Sequence, residues 1–199
     1  MNPFRIVIAG VGGQGTLLAS RLLADAAIDA GLSVKIGETY GMAQRGGPVM
    51  GHLQMGGEIL NPQIRKGEAE VLLGFEPVEA IRRGVTYLKE NGLALVNTRI
   101  IPPVEVISGL VKYPELNRLF NSLEKISENI IRFDATALAE VAGDPIATNI
   151  VMLGALSESG KLPFEGDGII EVLKRRLRPR YFELNIKAFE MGKQAYIDR

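Results

Sequence analysis

Apolar and polar positions change their period several times along the chain, and each change marks an element. Arg5 to Ala9 (RIVIA) is a short apolar run rich in β-branched residues, the pattern of a strand buried on both faces. Four glycines between Gly10 and Gly15 interrupt it. From Thr16 to Ala30 the apolar positions Leu18, Leu22, Ala26 and Ala30, with Leu23 and Ala27 beside them, take up helical spacing, and Gly31 is a suitable left-handed terminator. Ser33 to Ile36 predicts a second strand, which completes a βαβ unit with a right-handed crossover.

Beyond it, Val49, Gly51, Leu53 and Met55 alternate with other residues, Gly56-Gly57 offer the positive-φ positions of a tight turn, and Ile59 continues the alternation. This predicts an inserted β-hairpin. Glu70 to Phe75 predicts a buried strand, Glu76-Pro77 the start of a helix to about Lys89 closed by Gly92, and Leu93 to Val96 a further strand. Thr98 to Val111 contains Pro102-Pro103, is poorly periodic, and reads as an irregular linker. Glu115 to Ser127 is amphipathic, Asn129 to Phe133 predicts a strand, and Asp134 caps a short helix ending near Gly143.

Pro145 to Ser157 predicts an unusually apolar helix in which Asn149 is the one strongly polar residue. It is either a central helix with Asn149 satisfied by backbone groups, the reading favoured here, or a flat apolar face for a partner. Helices over Asp167 to Leu177 and Arg180 to Ile197 close the chain. The basic run Lys174 to Arg180 between them reads as a solvated helix terminus rather than a phosphate site. These elements give an α/β protein: a three-layer α/β/α arrangement with a mostly parallel, Rossmann-like sheet, an inserted β-hairpin and C-terminal helices. One domain is expected over residues 1–199, with the sheet core in 1–160 and a helical part in 161–199.

Composition removes several classes of function. Lys plus Arg balance Asp plus Glu at 23 each, so no net field draws the chain to nucleic acid or an acidic membrane. No segment approaches the ~18 apolar residues of a membrane span and no secretory leader opens the chain, so a cytoplasmic location is expected. A chain near neutrality tends to associate, and a free copy is expected to form a homodimer. There is no cysteine and His52 is the single histidine. The chain therefore offers no thiol nucleophile, no Cys-ligated cluster and no His-rich metal site, and no metal ligand is assigned. Any redox chemistry must use centres held elsewhere.

Candidate chemistry gathers in two glycine-rich loops. Gly10, Gly12 and Gly15 fit the G-x-G-x-x-G spacing, and the loop opens onto a helix N-terminus that favours an anion. The glycine-rich first turn of any parallel α/β sheet is an equal reading of the same residues. Glu38 lies roughly where a dinucleotide-binding fold places the acid that grips the ribose. Against that, the following stretch ETYGMAQRGGPV shows no helical period where a crossover helix should begin. It reads instead as a loop, Tyr40 to Pro48, with Gln44 and Arg45 at its centre. Arg45 suits phosphate or carboxylate, and an ordinary surface ion pair is the competing reading.

Four motifs in order, GVGGQG at the first turn, ETYGMAQRGGPV after the second strand, LLGFEPVEA on the third and ATNIVMLGALS in the late helix, resemble the gamma-type domain of 2-oxoacid:ferredoxin oxidoreductases. The likeness runs from residue 5 to about residue 192. It implies a subunit of an enzyme that oxidatively decarboxylates a 2-oxoacid, here an arylpyruvate, and releases an acyl-CoA. It further implies that thiamine diphosphate and iron–sulfur clusters sit on a larger alpha subunit, with ferredoxin accepting the electrons. Coenzyme A is then the expected ligand near this chain, with Gly12, Gly13, Gln14 and Gly15 as its floor. Glu38, Gln44 and Arg45 would border the thiamine-containing cleft or the subunit interface. A nucleotide-binding module and a stand-alone NAD(P)-dependent dehydrogenase are the alternatives.

Overall fold

The computed structural model describes residues 2–40 and 46–198. Strand β1 (Phe4–Val11) lies inside a six-stranded sheet of order β2-β3-β1-β4-β5-β6. The other strands are β2 (Val34–Tyr40), β3 (Pro48–Met55), β4 (Ala69–Gly74), β5 (Leu88–Asn97) and β6 (Ile130–Phe133). β1, β4, β5 and β6 run parallel, whereas β3 is antiparallel to both of its neighbours, β1 and β2. β2 therefore shares the direction of β1, but β3 separates the two.

That separation corrects the expected hairpin. β3 ends at Met55, and Gly56 and Gly57, at φ +73° and +62°, turn the chain away from the sheet instead of folding it into a second strand. The turn is fixed against β2, since Gly56 N–H donates to the Ser33 carbonyl and Ser33 Oγ donates to the Gly57 carbonyl. The antiparallel pair is formed by β2 and β3, in register from Val34 opposite Met55 to Tyr40 opposite Val49, and its connection spans residues 41–47.

A second correction concerns Gly92. Helix α2 (Pro77–Tyr87) stops five residues earlier, and Leu88 is already extended and opposite Ala69. A bulge then precedes the Val71–Leu93 pairing, so Gly92 sits inside β5 next to Asn91, whose φ of +58° an asparagine tolerates.

Alternate strand residues face opposite layers. Ile6, Ile8, Val71, Leu73 and Leu95 pack under α1 (Thr16–Asp29), α5 (Ala135–Ala142), α6 (Thr148–Glu158), α7 (Gly168–Arg176) and α8 (Phe182–Ile197). Val7, Ala9, Leu72, Ala94 and Val96 pack under α2 and α4 (Leu116–Glu124). A short helix, α3 (Val104–Ile107), interrupts the segment expected to be irregular.

The apolar helix near the C-terminus is α6, buried on every side as its all-round hydrophobicity requires. α8 crosses it so closely that a Cβ on Gly154 would lie 2.0 Å from the Phe189 carbonyl oxygen, and one on Gly192 1.9 Å from that of Val151. The C-terminal helix is thus packed into the same apolar core as the sheet. In the basic run, the last turn of α7 makes surface pairs to α1, Arg175 with Asp29 at 2.8 Å and Arg176 with Asp25 at 2.7 Å. Among the described residues, no helix is long and apolar enough to cross a membrane.

Candidate functional site

The carboxyl ends of β1, β4 and β5 open toward one edge of the sheet, where an α/β fold of this kind places its ligands. The glycine loop stands there, and its glycines differ in what they do. A Cβ on Gly10 would meet Gln14 Oε1, Phe75 Cβ and Thr16 Cγ2, all at 2.8–2.9 Å, so Gly10 permits the helix to sit on the strand. Gly15, at φ +74°, is the N-cap of α1, and its own Cβ would lie 2.8 Å from Asn149 Nδ2. Asn149 is buried and donates to the Gly15 carbonyl at 3.4 Å, which agrees with the reading of a side chain satisfied by backbone. Gly13 is exposed at φ +104°, with open space where a side chain would go.

The Gln14 side chain bonds to the backbone around its own loop. Its Oε1 accepts from Val11 N–H at 2.8 Å and its Nε2 donates to the Phe75 carbonyl at 2.7 Å, so the amide braces the loop between β1 and the end of β4. The Phe75 carbonyl also accepts from Asn97 Nδ2 at 3.0 Å, and Asn97 Oδ1 accepts from Ala135 N–H at 3.0 Å at the start of α5. Gly12 binds the second loop through backbone, donating to the Gly47 carbonyl at 2.8 Å and accepting from Gly46 N–H at 3.2 Å. The two glycine-rich loops therefore meet at Gly12. Gln44 and Arg45 lie outside the described residues.

Glu38 is held elsewhere. In register it is level with Gly51 of β3 and, through it, Ile8 of β1. It is thus two strands, roughly 10 Å, from β1. The ribose-gripping acid of a dinucleotide fold requires β2 beside β1, and β3 occupies that place. The stand-alone dehydrogenase reading loses its second residue for this reason.

On the other side of the loop lies a cavity of about 450 Å³, bounded by Val11, Pro48, the start of α2 and residues 101–114. Glu76, buried, caps α2 by accepting from Glu79 N–H at 3.0 Å, and its other oxygen accepts from the Tyr113 hydroxyl. Burial, and then the bond to Glu76, push the Tyr113 phenol far above its ordinary value. Glu79 is also raised, by burial against the opposing pull of Arg82 and Arg83. Behind it, His52 is buried with its Nδ1 accepting from Ile64 N–H at 3.3 Å and its ring edge-on to Tyr87. Burial and Arg83 lower its pKa, so the ring is neutral.

Sequence reasoning passed over Glu76, Glu79, Arg82 and Tyr113. The signal for the first two was present, since E-P-V-E at a helix start is a capping-box spacing with proline in the first turn. Nothing in the sequence joins Tyr113 to Glu76, which lie 37 residues apart. Among the described residues, no group of three or more His, Cys, Asp or Glu could hold a metal ion.

Residues 5–195 match the family described as pyruvate ferredoxin/flavodoxin oxidoreductase. The chain is 41% identical over 196 residues to the indolepyruvate oxidoreductase subunit IorB of Pyrococcus horikoshii, covering 98% of this chain and 96% of that one. The Thermococcus kodakarensis protein of the same name is 42% identical with the same coverage. The gamma subunit of keto/oxoacid ferredoxin oxidoreductase from Geobacter sulfurreducens shares the fold at a TM-score of 0.69 and 26% identity, over 98% of this chain and 99% of that one. With the family match and the likeness extending over nearly every residue, the chain belongs to the pyruvate ferredoxin/flavodoxin oxidoreductase family.

Proposed function

We propose that this chain is the cluster-free subunit of an indolepyruvate ferredoxin oxidoreductase, which converts arylpyruvates to the aryl-acetyl-CoA with reduction of ferredoxin. The observation that carries the reading is the 41–42% identity to proteins named as subunits of indolepyruvate oxidoreductase, over chains of matching length. The absence of cysteine fits a division of labour in which the larger partner holds the iron–sulfur clusters. Thiamine diphosphate, which supplies the electron sink for decarboxylation, belongs on the same partner in this reading.

This chain's own contribution is to present coenzyme A. The N-terminus of α1 carries no side-chain cap, and exposed Gly13 leaves open space where a Cβ would stand. A pyrophosphate suits that cradle, because free N–H groups and the helix dipole favour an anion. Gln14 and Gly12 act one step back, holding the loop to β4 and to the second loop. Arg45, which belongs to the second loop in sequence, is the cation assigned in this reading to the same phosphate or to the partner's surface.

The test is co-expression with the larger subunit under anaerobic conditions, followed by indolepyruvate- and CoA-dependent reduction of an electron-accepting dye. The complex should be active, and Gly13→Val and Arg45→Ala should each raise the apparent KM for CoA about tenfold or more, equivalent to about 1.4 kcal/mol. An inactive complex removes the indolepyruvate assignment. An active complex in which both variants keep the wild-type KM for CoA removes the coenzyme role alone.

A further inference from the structure

Residues Ile100 to Lys112 cross the mouth of the cavity as a strap anchored at both ends. Upstream, Arg99 reaches Asp134 at 3.2 Å and Glu140 at 3.3 Å. Downstream, the Tyr113 hydroxyl donates to buried Glu76. Among the described residues, the backbone hydrogen bonds between those anchors are local to α3, from Val106 and Ile107 N–H to the Pro103 carbonyl and from Gly109 N–H to that of Val106. Ile101, Pro103 and Val106 line the cavity from this strap, opposite Val78 of α2.

The charges lining the cavity are not all paired. Glu76 is satisfied by Tyr113 and the Glu79 N–H, and Glu79 is paired with Arg82 and faces Arg83. Lys112 stands exposed at the rim with no ion pair among the described residues. Of the four charged side chains that line the cavity, Glu76, Glu79, Arg82 and Lys112, it is Lys112 that is left without a partner among the described residues. A volume of about 450 Å³ is within the range of small-ligand pockets.

We propose that this cavity is a binding site for a small organic anion with an apolar body. The body lies between the strap and α2, the anion meets Lys112, and the Tyr113–Glu76 hydrogen bond holds the strap closed. Val11 and Gly46 join the cavity wall to the glycine loop, but neither Gly13 nor Gly15 lines it, so binding here is tested separately from the coenzyme role.

The full chain contains no tryptophan, so the fluorescence of an indolyl ligand excited beyond the tyrosine band reports the ligand alone. Titration of indole-3-acetate against the purified chain should give saturable one-to-one binding. Indole, the same ring without the carboxylate, should bind at least about tenfold more weakly, and Lys112→Glu should raise the Kd for indole-3-acetate by a similar factor. Val106→Phe, which fills the cavity, should abolish binding, and Tyr113→Phe should speed dissociation several-fold. Circular dichroism melting verifies that each variant folds, with Val78→Met as the second filling variant. Lack of saturable binding to millimolar concentration, or binding that Lys112→Glu and the folded filling variant leave unchanged, overturns the proposal.

Discussion

Gln14 joins two strands that the sequence keeps far apart: its Nε2 donates to the Phe75 carbonyl at 2.7 Å while its Oε1 accepts from Val11 N–H at 2.8 Å. A glutamine inside a glycine-rich loop looks like a ligand contact, yet here it builds the loop. Gln14→Leu removes both bonds and leaves the Val11 N–H without its acceptor, whereas the Phe75 carbonyl keeps Asn97. Two ordinary hydrogen bonds and one stranded donor total about 2–4 kcal/mol. Urea unfolding of wild type and variant should show that loss through a lower midpoint with an unchanged slope.

The crossing of α6 and α8 sets a sharper limit. Gly154 and Gly192 each place their α-carbon against a carbonyl of the other helix, and a methyl group at either would sit about 2 Å from that oxygen. Oxygen and backbone cannot yield locally as a flexible side chain does, so the helices must separate along their length. Gly154→Ala and Gly192→Ala should each cost about 3 kcal/mol or more, at the upper end of overpacking effects, or prevent recovery of folded protein. Gly31→Asn provides the contrast. Its φ of +81° with open space around it should make the cost under about 1 kcal/mol by thermal melting.

These two sites also show where a sequence speaks and where it is silent. The strand, loop and helix from Phe4 to Asp29 were legible because each depends on neighbours in sequence, as did the Asp134 cap, whose carboxylate accepts from Ala137 N–H at 2.8 Å. The place of β3 was not. Alternation at Val49, Leu53 and Met55 announces a strand but carries no information on which strands flank it, and Gly56-Gly57 serve a tight hairpin and a turn off the sheet equally well. The same limit applied to the cavity. Lys112 and Tyr113 lie together between α3 and α4, Glu76 precedes α2, and the parallel β4–β5 pairing brings the two segments to one edge.

Glu76 should behave as a cap and an anchor at once. Glu76→Gln retains an oxygen for the Glu79 N–H and an amide group that can donate to the Tyr113 oxygen, so its cost should stay near 1 kcal/mol. Glu76→Ala loses the cap, worth about 1 kcal/mol, and the bond to Tyr113, for a total of about 2–3 kcal/mol. Hydrogen exchange of residues 100–112 should rise in Glu76→Ala and in Tyr113→Phe and stay near wild type in Glu76→Gln.

His52 gives the fold a defined response to acid. The ring is buried and neutral, with Nδ1 committed to Ile64 N–H, and its pKa is lowered chiefly by burial and further by Arg83. The unfolded chain takes up the proton at about pH 6.5, where the folded chain still refuses it. Between those two values the unfolded state binds more protons, so the contribution of His52 is fully present above about pH 6.5 and is lost as pH falls toward the folded value. The slope approaches 1.4 kcal/mol per pH unit for one proton. Glu79 acts in the opposite sense, because its raised pKa makes the folded state the stronger proton acceptor as pH falls from neutrality toward 4.5. A comparison against His52→Asn, which removes the titrating ring and leaves Glu79 in place, isolates the histidine. Between pH 7.5 and 5.5, denaturant midpoints of the wild type should fall more steeply than those of His52→Asn. Equal slopes would show that His52 takes up its proton as readily in the fold as in the open chain, and that its burial against Tyr87 does not hold in solution.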